Sequence, residues 1–268
     1  MERKNRMTYA TCAVCGKRSR QPALTSEQSY GWEPWFVDGM PKYSEIRKVY
    51  ISEVCPHCGY TNRSIEEGGI ANLLDFKSEE YRNPLQLDED SERKYGGLWL
   101  TASVKACMRT GYLLKSSDVA CYGIALEEYL TAIWLLDGYL VDHQQNDAID
   151  GGNQTCSRHF ESVGNGTVPE YGTEFQRVCH RIRNICLEKA IYCCSMVRKR
   201  DKRNEDTLLL VDLYRRRGLV ELAMTYAEEM LEHEMWDSID EKLMIRQQIE
   251  LCKRKDMKPA ELYPNLSE

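Results

Sequence analysis

The chain has 268 residues, 42% of them apolar and 29% charged, with a formal net charge of −6. That length accommodates one large domain, or a small module beside a medium one. The acidic balance excludes a global attraction to nucleic acid or to an anionic membrane, and the composition is that of a soluble globular protein.

Met1-Glu2-Arg3-Lys4-Asn5-Arg6 leads into a cysteine pair rather than an apolar run, so no secretory signal is expected. The expected compartment for the twelve cysteines is therefore the reducing cytoplasm, where thiols stay free to bind metal. The Asn-x-Ser/Thr sequences at Asn62, Asn153, Asn165 and Asn265 then have no bearing on glycosylation.

Cys12-Ala-Val-Cys15-Gly16 and Cys55-Pro-His-Cys58-Gly59 are the most informative feature. Each Cys-x-x-Cys-Gly can fold as a tight knuckle with both sulfurs on one ion. The two together supply the four thiolates of a closed tetrahedral zinc site. Iron accepts the same sulfur shell, so a rubredoxin-like redox centre is the alternative. His57 reads as a solvent-facing spacer. Ile46, Tyr50 and Val54 approximate strand alternation between the knuckles. Residues 1–68 are expected to form a zinc-ribbon-like module of small β-hairpins, with metal supplying much of its stability.

Residues 69–94 carry Asp75, Glu79, Glu80, Asp88, Glu89, Asp90 and Glu92 and read as an acidic connector with a short helix. From Gly97 the spacing becomes helical. Leu98, Leu100, Val104, Met108 and Leu113 predict a first helix. Ser117 is placed to cap a second, running from Asp118 to about Leu140. The apolar stretch from Ile124 to Val141 contains Glu127, Glu128 and Asp137, which predicts a buried central helix and no membrane span. Residues 142–172, rich in Gly, Asn and Gln, read as a polar surface insertion. Thr173 and Gln176 form a capping box before a long helix, whose face is marked by Phe175, Val178, Cys179, Ile182, Ile185, Cys186, Ala190, Cys193 and Val197. Helices over about 205–217, 219–234 and 238–255 complete the chain, the last opened by a Ser238/Glu241 box.

The spacing of Leu210, Tyr214, Gly218 and Ala223 is that of a tetratricopeptide hairpin. Ala227 and Met230 depart from that repeat, no proline closes it, and no second repeat is clear. Residues 95–268 are expected to form a tetratricopeptide-like helical domain, and the whole an α+β, mostly α, protein. Cys12, Cys15, Gly16, Cys55, Pro56, Cys58, Gly59 and Tyr60, with Leu213-Tyr214-Arg215-Arg216-Arg217-Gly218, give the chain a further likeness. It resembles a bacterial family catalogued as domain of unknown function 2225, which implies an N-terminal zinc-binding module followed by tetratricopeptide-like helices. Ala13 stands where that family usually has proline. The family brings no established activity.

Cys179, Cys186 and Cys193, with His180 and Cys194 beside them, recur two turns apart, about 10 Å along a helix axis. That is too far for one ion, so they read as small apolar core residues. Residues 177–203 carry Arg177, Arg181, Arg183, Lys189, Arg198, Lys199, Arg200, Lys202 and Arg203, to which Arg215 to Arg217 can add. This basic helix is the candidate nucleic-acid surface; its competing reading is a solvated face paired with Glu228, Glu229, Glu232 and Glu234. The chain holds no glycine-rich phosphate loop, Gly-x-Ser-x-Gly elbow or His-Glu-x-x-His. His143, His159 and Cys156 sit in the polar insertion, which does not suit a rigid catalytic pair. The sequence points to a zinc-stabilised, non-enzymatic adaptor binding a protein or peptide through its helices. The alternatives are a nucleic-acid-binding zinc ribbon and an iron redox protein.

Overall fold

The computed structural model describes residues 7–22, 36–40, 52–67, 75–116, 121–148, 173–201 and 203–260. Two small antiparallel hairpins come first. Strand β1 (Met7–Thr11) pairs with β2 (Arg18–Pro22), and β3 (Glu53–Val54) pairs with β4 (Thr61–Asn62). A 3-10 turn at Asp75–Lys77 precedes the helices α1 (Glu79–Arg82), α2 (Glu89–Tyr95), α3 (Trp99–Ser116) and α4 (Tyr122–Ala148). Then follow α5 (Thr173–Asp201), α6 (Asn204–Arg216), α7 (Val220–Glu232) and α8 (Ile239–Lys253). The architecture is the expected α+β, mostly α.

Capping chemistry sets several of the starts. Ser78 accepts from the Tyr81 N–H, and Asp88 from the Ser91 N–H. Ser238 accepts from Glu241 N–H at 3.1 Å, the cap expected there, while the Glu241 carboxylate reaches one residue beyond the N-cap, to Asp237 N–H. Helix α4 packs between α3 and α5 and is buried on every face from Leu130 to Leu140. Helix α5 turns Phe175, Val178, Cys179, Ile182, Cys186, Ala190, Cys193 and Val197 inward; Ile185 falls at the edge, and Arg183, Leu187 and Cys194 join the buried side.

Three stretches differ from the sequence reading. The acidic stretch after residue 68 holds two short helices and a 3-10 turn and buries Tyr81, Leu85, Leu87 and Tyr95. Glu79, Asp88, Glu89, Asp90 and Glu92 occupy the outer side, so net composition hid the spaced apolar residues that anchor it. Helix α4 runs on to Ala148, making the start of the 142–172 segment helical. The rest of that segment, with Cys156 and His159, and the proposed Ser117 cap lie outside the described residues.

The third difference is a buried ionic network. Arg215 and Arg216, read as additions to a basic surface, are 0% and 1% exposed. Arg216 pairs with Asp38 between the knuckles, Asp137 on α4 and Asp212 on α6. The second oxygen of Asp137 accepts from Arg183. Arg215 bonds Asp212 at 2.6 Å and Gln248 of α8 at 2.8 Å, and it donates to the carbonyls of Asp256 and Lys258. Three arginines face three aspartates in this network. Burial works against the Arg216 charge, but Asp137, Asp38 and Asp212 outweigh it and keep the guanidinium ionised.

Two predictions follow from this packing. Arg216→Met leaves the Asp38 carboxylate without its cation in the interior and Asp137 with Arg183, and breaking one side of a buried pair costs about 3–5 kcal/mol. Chemical denaturation should show a loss of that size, larger than for Lys199→Met on the exposed side of α5. In the α6–α7 hairpin, Gly218 has φ +85° and room for a Cβ, whereas Ala223 is fully buried. Gly218→Val should therefore cost about 1–3 kcal/mol through backbone strain, and Ala223→Phe about as much through overpacking. Exposed Glu221→Ala should leave the melting temperature unchanged; an unchanged value for Ala223→Phe would remove Ala223 from the helix contact.

Candidate metal centre

The two hairpins bring the four predicted cysteines together. The Sγ atoms of Cys12 and Cys58 lie 3.7 Å apart, as do those of Cys15 and Cys55, and all four are within 4.8 Å of one another. A tetrahedral ion with Zn–S bonds of ~2.3 Å requires sulfurs roughly 3.8 Å apart. The donor set therefore fits one zinc or iron ion in size and in chemistry.

The knuckles are near copies. Gly16 N–H donates to the Cys12 carbonyl at 2.8 Å, and Gly59 N–H to the Cys55 carbonyl at 2.9 Å. Both glycines close their turns at positive φ, +68° and +77°, where a side chain would strain the backbone. Backbone N–H groups of Val14 and Cys15 point at the Cys12 sulfur, and those of His57 and Cys58 at the Cys55 sulfur. Burial opposes ionisation of Cys55, but its N–H donors outweigh it and hold the thiol at about 7. Desolvation and then the neighbouring sulfurs push Cys58 up to about 12. Four thiolates this close repel one another, and a bound cation removes that penalty.

Cys12 and Cys55 are buried, Cys15 is half-buried and Cys58 is exposed, so one edge of the centre meets solvent. His57 is exposed and outside the sulfur group, as a spacer should be. Behind the sulfurs lie Tyr60, Ile65, Tyr81 and Leu113, the last two from α1 and α3. Tyr81 donates its hydroxyl to the Gly59 carbonyl at 2.7 Å, and Arg109 of α3 donates to the Tyr81 carbonyl at 2.8 Å. Buried Glu128 of α4 accepts from Ser52 and Arg63, both at 2.7 Å. The sequence reading missed these residues of the helical region; a buried glutamate on an otherwise apolar helix was the available signal for Glu128.

The other candidate clusters behave as core or surface. Burial alone raises the Cys179 thiol to about 12, and burial foremost raises Cys193 to about 11 and Cys194 to about 12, which keeps these thiols protonated and inert. In the basic stretch, Arg183 is buried, Lys189 pairs with Glu80, Arg200 with Asp201 and Arg203 with Asp206. Arg198 donates to Thr207, and Arg217 pairs with Glu188. Arg177, Arg181 and Lys199 are exposed, and Lys202 lies outside the described residues. The side chain of His143 does too.

No helix among the described residues is long and apolar enough to cross a membrane. Comparison of the chain with protein-family models, curated proteins and solved structures finds no match to any of them.

Structural zinc in small modules is worth roughly 10–16 kcal/mol at neutral pH. Protein purified without chelator should carry about one equivalent of metal, colourless for zinc and red for iron. The metal should be released as acid protonates the thiolates. Cys55→Ser should lose it and unfold the hairpins while far-ultraviolet circular dichroism stays mostly helical. Metal analysis below half an equivalent in the wild type would count decisively against the site.

Proposed function

We propose that this chain is a zinc-stabilised, non-enzymatic adaptor of the reducing cytoplasm, built like the family of unknown function that it resembles. In this reading Cys12, Cys15, Cys55 and Cys58 hold zinc for structure, and the tetratricopeptide-like helices bind a protein or peptide segment. The supporting observation is the large apolar side chains left exposed on the last hairpins: Leu219, Leu222, Ile239, Leu243 and Met257. Ile239 and Leu243 are one turn apart on α8 and share a face. Apolar residues on a helical hairpin suit an extended or helical ligand.

A nucleic-acid reading has its better support away from the basic helix, whose charge is partly consumed by burial and ion pairs. On the outer face of β1–β2, Tyr9 is 59% exposed and the Arg18 guanidinium stacks on it at 4.6 Å, with Arg20 beyond. Aromatic and arginine planes of this kind suit unpaired bases. That reading requires purified protein to carry nucleic acid that high salt removes.

The adaptor reading is tested by Leu222→Glu/Leu243→Glu in an affinity capture from the native host. Exposed substitutions of this kind typically change stability by less than about 0.5 kcal/mol, so the variant should remain folded. It should lose a protein that wild type retains. Identical captured proteins would exclude this face as the binding surface.

A further inference from the structure

The register of the first hairpin sorts its side chains into two faces. Tyr9 stands opposite Arg20 and Thr11 opposite Arg18, and successive residues of a strand point to opposite sides. Ala10, Ser19 and Gln21 are buried on the inner side, where Ala10 and Cys12 join one cluster. Tyr9, Thr11, Arg18 and Arg20 are exposed on the outer side. The Arg18 guanidinium lies 4.6 Å from the Tyr9 ring centroid and that of Arg20 6.0 Å, yet Tyr9 is still 59% exposed.

Neither arginine has a carboxylate partner among the described residues. Residues 7–22 hold Lys17, Arg18 and Arg20 and no aspartate or glutamate, in a chain of net charge −6. Glu66 brings one negative charge to the edge of the hairpin, where it accepts from the Thr11 N–H at 3.0 Å. The thiolates add theirs on the inner side. Cys12 is three residues beyond Tyr9, about 10 Å at the ~3.3 Å rise of a strand, and charges further apart than ~8 Å are largely screened in physiological salt. The outer face therefore keeps a positive excess around an aromatic ring. Such a ring stacks a base on its π-face, while the guanidiniums neutralise phosphates. The Thr11 hydroxyl on the same face has no hydrogen-bond partner among the described residues. It suits a ribose 2′-hydroxyl, the group that separates RNA from DNA.

We propose that the outer face of β1–β2 binds single-stranded RNA, with an unpaired base on Tyr9, phosphates on Arg18 and Arg20, and a ribose on Thr11. This site rests on the nucleic-acid reading of the same hairpin and leaves the α7–α8 face free.

The probe is a fluorescein-labelled oligouridylate of about twelve nucleotides, titrated by anisotropy into the full-length, metal-loaded protein over a range of salt concentrations. Parallel arms use the deoxy counterpart, an RNA duplex of the same length and polyglutamate as competitor. Wild type should bind the single strand saturably and at least fivefold more tightly than the duplex or the deoxy strand, and polyglutamate should not displace it. Tyr9→Leu should weaken binding at least fivefold, the low end for one stacked base, while Tyr9→Phe keeps the ring and should bind as wild type. Each phosphate neutralised on a single strand contributes about 0.7 to the salt slope, so Arg18→Gln/Arg20→Gln should lower that slope by about 1.4. All these positions are exposed, so the variants should retain wild-type metal content and melting temperature, which separates lost binding from lost folding. No saturable binding by wild type would overturn the site and the nucleic-acid reading together. Binding unchanged by Tyr9→Leu and by the arginine pair would overturn this face alone. Equal affinity for the duplex or the deoxy strand, or displacement by polyglutamate, would overturn the assignment to single-stranded RNA.

Discussion

Arg216 carries a full charge with almost no contact with water, and much of the tertiary structure serves to keep it charged. Its carboxylate partners come from three places: the segment between the knuckles, the middle of α4 and the preceding turn of α6. Arg183 and Arg215 then balance the carboxylates that Arg216 shares. Ionic contacts in a low-dielectric interior are directional and costly to leave incomplete. Helices α4, α5, α6 and α8 therefore have one satisfactory arrangement about this point, where apolar packing alone would tolerate sliding. The same network draws in the chain beyond α8 through the carbonyls of Asp256 and Lys258.

Asp38 carries this constraint to residues 36–40, between the knuckles. Trp134 of α4 donates to it at 3.0 Å, and Phe36 and Met40 beside it enter the main core. Val37 N–H bonds the Ala260 carbonyl at 2.8 Å. Burial raises the Asp38 carboxyl against the pull of Arg216, so the aspartate depends on its arginine as much as the arginine on it. The hairpins have little core of their own, and they are held from two sides, by the sulfur cluster within and by Glu128 and Tyr81 contacts without. A module of this size needs both kinds of support.

The same residue types do different work according to depth. Cys55 in its knuckle meets backbone N–H donors that favour thiolate, whereas the cysteines on α5 sit among hydrocarbon and stay protonated. Arginines along α5 and α6 divide in the same way between an interior lattice and a solvated surface. Among the described residues, exposed apolar side chains on the last hairpins and an aromatic and arginine face on the first are available for recognition.

Local rules determined much of this protein from sequence alone. The spacing of Cys12, Cys15, Cys55 and Cys58 announced a sulfur centre, because two residues between cysteines and a following glycine already specify a knuckle. The apolar period of α5, the Ser238/Glu241 cap and the positive φ of Gly218 were legible because each depends on residues within a few turns. Tertiary structure alone decided that Arg215 and Arg216 are interior, since the Asp38 that meets Arg216 lies 178 positions away and a buried arginine looks like a solvated one in sequence. The docking of Tyr81 and Glu128 behind the knuckles was equally invisible. Burial and partnership between distant side chains arise only when helices converge, and no local pattern encodes which carboxylate a side chain will meet.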